Sequence, residues 1–129
     1  MDRPPPFPSA QADWLSQIEV RLNGATHEVV AIAYLDADEE LVGLRVAGDG
    51  STAQVELPLR DILRDVLDHQ PQALVLAHNH PSGDPRPSAT DQRATKTLCT
   101  MLRPIGVSIA DHIIVSGDQR ISFRDLGLL

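Results

Sequence analysis

The chain has 129 residues, 42% of them hydrophobic and 22% charged, which suits one soluble globular domain with a modest core. A formal charge of −7 supplies no basic stripe for tracking a phosphate backbone and argues against direct nucleic-acid binding. No apolar run approaches the ~18 residues of a membrane span, and the start lacks the basic and apolar regions of a secretory leader, so cytoplasm is the expected compartment.

Aromatic residues make up only 3% of the chain, so the core must be aliphatic. The single Cys99 has apolar neighbours on a helix and reads as a small core residue, so no internal disulfide is expected. Residues 1–24 are set apart as a Pro-rich, partly disordered segment, leaving 25–129 as the domain. Within that segment Trp14, Leu15, Ile18 and Leu22 have helical spacing, while Ile18, Val20 and Leu22 also alternate like a strand.

A buried strand is predicted over 28–36, then a turn at Ala37-Asp38, a second strand to Ala47 and a third over 53–57. Pro58 opens an amphipathic helix carrying Leu59, Ile62, Leu63, Val66 and Leu67 on one face, and Pro71 ends it. The apolar run 73–77 is a further strand. A helix over about 89–102, stopped by Pro104 and Gly106, leads to strands over 107–115 and 121–123. The order βββαβαββ predicts a two- or three-layer α/β sandwich.

The chemistry gathers in the segment from His78 to Asp91. His78 and His80 close the 73–77 strand, and residues i and i+2 share a face, so both imidazoles can reach one ion. Prolines 81, 85 and 87 prevent the strand from continuing and force a loop over the site. Ser88 then has the position of a helix N-cap, with Asp91 three residues on. Asp91 admits two readings: the acidic half of a capping box, or a third ligand completing a site with one open position for water.

His78-x-His80-Pro81, followed by Ser88-x-x-Asp91, resembles the metal motif of the JAB/MPN (JAMM) metalloproteases. The wording His-Asn-His-Pro-Ser-Gly-Asp-Pro-x-Pro-Ser is closer still to the RadC-like branch. Further likenesses are Leu35-Asp36, Arg60-Asp61-Ile62, Thr95 and the run Asp111-His112-Ile113-Ile114-Val115. The resemblance covers about residues 27–129. It implies a single-domain α/β fold, a JAB/MPN-like mixed β-sheet flanked by helices, with Zn²⁺ held by His78, His80 and Asp91. It also implies that Ser88 bonds the oxyanion or supports the site as a cap, and that the substrate is a peptide or isopeptide bond in an extended segment. RadC-like proteins have often been named as DNA-repair factors, but too few residues precede this domain for the helix-hairpin-helix segment of longer members.

The family draws its general base from a Glu on an upstream strand. A nearly gapless comparison from Leu35-Asp36 to Arg60-Asp61 puts Arg45 there, and an Arg cannot accept a proton. Glu39 and Glu40 would lie more than about 15 Å from position 45 along an extended strand. Glu56, on the third predicted strand, is the substitute candidate, beside its plain reading as a solvent-facing residue. Two functions therefore stand: a zinc-dependent hydrolase of amide bonds, or a weakly catalytic or non-catalytic metal-binding module with a protein or DNA-repair partner.

Other classes are excluded by composition. A zinc deaminase needs Pro-Cys-x-x-Cys, and a zincin needs His-Glu-x-x-His; neither is present. A His, His, Asp site could also hold iron, manganese or nickel. Asp111 and His112 each admit a structural reading and a reading in which they orient a liganding histidine. His27 and His69 read as surface residues.

Overall fold

The computed structural model describes residues 13–48 and 56–129. A five-stranded mixed sheet runs in the order β2-β1-β3-β4-β5, from β1 (Val30–Leu35), β2 (Leu41–Ala47), β3 (Ala73–Asn79), β4 (Ser108–Ser116) and β5 (Gln119–Ser122). Helices α1 (Asp13–Asn23), α2 (Leu59–His69) and α3 (Ala89–Leu102) flank it, and a single 3₁₀ turn, Arg103–Ile105, follows α3. The JAB-like α/β fold expected from the sequence is therefore present. Among the described residues no helix is long and apolar enough to cross a membrane.

Alternation along the strands splits the apolar residues into two layers. On one face Ala31, Ala33, Leu35, Val75, Ala77, Ile113 and Val115 pack against Leu15, Ile18 and Leu22 of α1. Those three positions recur at helical spacing, which settles the helix-or-strand ambiguity of this stretch. Val20, the residue that made a strand conceivable, is exposed.

On the other face Val30, Ile32, Tyr34, Leu74 and Leu76 meet Ile62 and Val66 of α2 and Leu98 and Leu102 of α3. Burying a Leu or Ile side chain is worth about 1.5–3 kcal/mol, so both faces contribute to holding the layers together. Leu67, expected on the buried face of α2, is 70% exposed, because the helix turns only a narrow stripe to the sheet. Helix α2 ends where Gln70 takes a left-handed conformation at φ 49° and donates to Val66 O.

β1 pairs antiparallel with both β2 and β3, whereas β3 and β4 are parallel and joined through α3. The strand expected over 53–57 falls mostly outside the described residues; Glu56 and Leu57 carry no regular structure. A register shift after Leu74 aligns Val75 with Asp111 and Leu76 with His112. Ala110 is thus the extra residue. Ile109 packs on the α2/α3 side while Asp111 lies two strand positions before Ile113 on the α1 side.

Candidate metal centre

The site forms where the carboxyl end of β3 meets the amino end of α3. His78 continues the Leu74, Leu76 face, so its ring points to the α3 side, and the intervening Asn79 points to the α1 side. His80 follows the strand and is anchored by its backbone: its N–H donates to Val115 O (2.9 Å), and its carbonyl accepts from Ser116 Oγ (2.7 Å). The loop then turns through Gly83, at φ 95°, whose N–H donates back to His80 O.

Asp91 closes the capping box, and the same carboxylate is also turned toward the two histidines. Ser88 Oγ accepts from the Asp91 N–H and the Ser88 N–H donates to Asp91 Oδ2, each at 2.9 Å, which is a complete capping box. The same carboxylate faces the imidazoles, with Oδ2 3.2 Å from His80 Nε2 and Oδ1 3.5 Å from His78 Nε2. Burial alone would raise its pKa. The facing imidazoles of His78 and His80, in their protonated form, and the Ser88 N–H outweigh that and hold the carboxyl well below the usual range, in line with its place at a helix N-terminus.

The two histidines approach each other through Nε2, at 2.9 Å. His80 Nδ1 lies 2.8 Å from the Asp84 carbonyl oxygen, which can only accept, so Nδ1 carries a proton and, when the ring is neutral, Nε2 keeps a lone pair. Asp91 draws the proton affinity of His80 upward, against its burial. The donor atoms that converge here are therefore a basic imidazole nitrogen, a second imidazole nitrogen and carboxylate oxygens. Such a set is suited to a cation and fits zinc, which takes His nitrogen and Asp oxygen.

A further carboxylate joins them. Glu28 Oε1 is 3.7 Å from His80 Nε2, and Glu28, His78 and His80 bring one ligand atom each within 4.8 Å of one another. The register explains this: Val30 pairs with His78 in the antiparallel β1–β3 ladder, so the residue two before Val30 falls opposite the residue two after His78. Asn79 fixes the approach. It accepts from Val29 N–H (2.7 Å) and donates to His27 O (2.9 Å) and Leu22 O (3.1 Å).

Arg45, the position at which the comparison placed the family's base, is engaged away from these carboxylates. Arg45 pairs across from Ile32, and its guanidinium donates through Nε and Nη2 to Asp65 of α2, with Nη2–Oδ1 at 2.8 Å. Asp65 also accepts from Tyr34 Oη at 2.7 Å. Arg45 is thus committed to bracing β2 against α2, and an ion pair there leaves the metal centre's own carboxylates untouched. Glu56 is exposed and lines a cavity of about 420 Å³ together with His78, Asp91, Leu57, Leu59 and Arg93.

Asp111 and His112 are both buried, at 1% and 2% exposure, and have separate partners. Asp111 accepts from the His112 and Arg124 N–H groups and from Ser122 Oγ, tying β4 to the tail after β5. His112 Nε2 lies 2.7 Å from His78 Nδ1, and its ring stacks on Phe123. Burial, with the nearby His78, pushes its protonation far down, so it is neutral. His112, and not Asp111, touches a site histidine. His69 is exposed, yet its ring lies against Gly43, where a Cβ would come within 2.8 Å of it.

Comparison with known proteins agrees with the motif and the fold. A family model described as the RadC-like JAB domain matches residues 9–128. Similar relatives are UPF0758 proteins from Albidiferax ferrireducens, 38% identical over 87% of this chain and 48% of the relative, and from Leptothrix cholodnii, 38% identical over 97% and 56%. A third, from Polaromonas, is 35% identical over 95% of this chain and 53% of the relative. The chain spans about half the length of these relatives, and it belongs to the RadC-like JAB domain family.

Proposed function

We propose that this domain is a zinc-dependent hydrolase of peptide or isopeptide bonds, with His78, His80 and Asp91 as the metal ligands and Glu28 as the general base. The observation that carries the reading is the convergence of two imidazole nitrogens and two carboxylates with Glu28 Oε1 beside His80 Nε2. Zinc, when bound, supplies a Lewis acid that polarises the scissile carbonyl and brings the pKa of the attacking water to about 7.

The protein's own groups do the rest. Glu28 takes the water's proton on a carboxylate oxygen as the new C–O bond forms, and then delivers it to the amine nitrogen as the carbonyl re-forms and the amide C–N bond breaks. Ser88 Oγ accepts from the Asp91 N–H, which leaves its own hydroxyl proton to donate to the developing oxyanion. The 420 Å³ cavity beside His78 and Asp91, walled by Val30, Leu57, Leu59 and Ala94, receives a side chain of the substrate segment. Glu56, at the rim of that cavity, contacts substrate in this reading. The module reading drew its support from Arg45, which pairs with Asp65 of α2, and Glu28 beside His80 favours the hydrolase reading over it.

The test is cleavage of a peptide and isopeptide library, followed by mass spectrometry, with zinc-loaded wild type and Glu28→Gln. Wild type should cleave a subset, and Glu28→Gln should keep about one zinc per chain while losing activity by about 10²-fold or more. Equal cleavage by Glu28→Gln would remove Glu28 from the mechanism. A fully loaded wild type that cleaves nothing in the library would count against the hydrolase reading.

A further inference from the structure

We infer that Thr95 and His112 form a tautomer lock that holds His78 with its proton on Nδ1 and its Nε2 basic. The inference rests on the metal-centre reading for its purpose, but its geometry stands by itself.

The chain of contacts starts on α3. Thr95 Oγ1 lies 2.9 Å from the Asp91 carbonyl oxygen and 2.6 Å from His112 Nδ1. A hydroxyl has one proton and a carbonyl has none, so the proton must go to Asp91 O. His112 Nδ1 must then donate to Thr95 Oγ1, which leaves His112 Nε2 as an acceptor. Among the described residues its partner is His78 Nδ1, 2.7 Å away, so that nitrogen carries the His78 proton. The lone pair of His78 is left on Nε2, which faces His80 Nε2 and Asp91.

The reverse assignment fails at one place. If Thr95 donated to His112 Nδ1, its oxygen would face the Asp91 carbonyl with no proton between them, in a setting where Thr95 is 1% exposed. His78 would also turn an N–H toward the other donor atoms and block the ion's position. The contacts form a closed ring, since Asp91 ends it at its carbonyl and rejoins it through its carboxylate. Phe123, itself fully buried, stacks on His112 at 4.3 Å between centroids. Thr95 and His112 are positioning residues: they act on the metal through His78 and need not touch substrate.

The experiment is nitrogen NMR of zinc-free, ¹⁵N-labelled wild type, beside zinc affinities of wild type, Thr95→Val and Thr95→Ser. The lock predicts His78 protonated at Nδ1 alone, with a through-hydrogen-bond coupling from that nitrogen to His112 Nε2. Thr95→Val, which keeps the shape and loses the hydroxyl, should weaken zinc binding about 10- to 100-fold. Thr95→Ser, which keeps the hydroxyl and loses the methyl, should stay near wild type, the opposite of what a packing role would give. His78 protonated at Nε2 in the zinc-free protein overturns the lock, as does a folded Thr95→Val with wild-type affinity. The predicted His78 state in a protein that binds no zinc would retain the lock and remove the metal reading. Should Thr95→Val fail to fold, the wild-type spectrum decides alone.

Discussion

Asn79 offers the sharpest separation of folding from chemistry at this site. Its side chain, 3% exposed, makes three hydrogen bonds to the backbone of Leu22, His27 and Val29, the segment that carries Glu28. At about 1 kcal/mol each, Asn79→Ala should cost roughly 3 kcal/mol, a large share of the ~5–15 kcal/mol typical of a domain. Asn79→Asp should cost at least as much, because its second oxygen would face two carbonyl oxygens where an NH₂ donated. Scaling ~2.1 cal/mol/K per residue to 129 residues gives an unfolding entropy of about 0.27 kcal/mol/K, so the melting temperature should fall by roughly 10 °C. Thermal unfolding by circular dichroism measures this. Folded Asn79→Ala should still bind about one zinc per chain, since its ligands come from other residues, while cleavage falls because Glu28 loses its support. Asn79→Asp melting within about 2 °C of wild type, or Asn79→Ala losing zinc as completely as His80→Ala, would refute the reasoning.

Three further outcomes are expected. Zinc at about 1,000 times its dissociation constant should stabilise wild type by about 4 kcal/mol and raise its melting temperature by roughly 15 °C, with no such rise in His80→Ala; an equal rise would point to binding elsewhere. The Asp65 carboxyl is pulled below its ordinary range, mainly by Arg45 and further by Tyr34, so this pairing stabilises the fold above the unfolded carboxyl pKa of about 3.9 and loses that contribution as pH falls through the lower folded value. Tyr34→Phe should accordingly cost about 1.5–3 kcal/mol at pH 7 and less at pH 3, read from urea midpoints at both. Ser88→Ala removes half of the capping box and should cost about 1 kcal/mol in the same assay, with zinc binding weakened because Asp91 is less well held.

What the sequence made legible was local. His78 and His80 are two residues apart on a strand, and Ser88 and Asp91 are three apart at a helix start, so their spacing alone places each pair on one face. The elements from Pro58 to Ile114 are likewise bounded by their own prolines, glycines and apolar periods. Glu28 carried no local signal, because it stands before a strand and reaches the site only through the β1–β3 register. Anchoring the comparison on Leu35-Asp36 and Arg60-Asp61 directed attention to Arg45 on the next strand, which pairs with Asp65, and away from Glu28. A pairing rule would have found it: in an antiparallel ladder the two positions of each pair sum to a constant, and Val30 with His78 sets the partner of His80 at position 28.

The same distinction separates Asp111 from His112. Strict alternation would put Asp111 on one face with both Ile109 and Ile113, but the extra residue at Ala110 breaks that count, and the two isoleucines pack in different layers. A bulge changes which neighbour of a pair looks at the site, and nothing in Ser-Ile-Ala-Asp-His announces it. Once the register is known, the assignment follows from donor and acceptor arithmetic: Asp111 takes three donors, from its own strand, β5 and the tail, while His112 is left between Thr95 and His78. A two-reading residue such as Asp91 teaches the complementary point. Its Oδ2 accepts from the Ser88 N–H and also faces His80 Nε2, while Oδ1 faces His78 Nε2, so the helix cap holds the carboxylate turned toward both histidines.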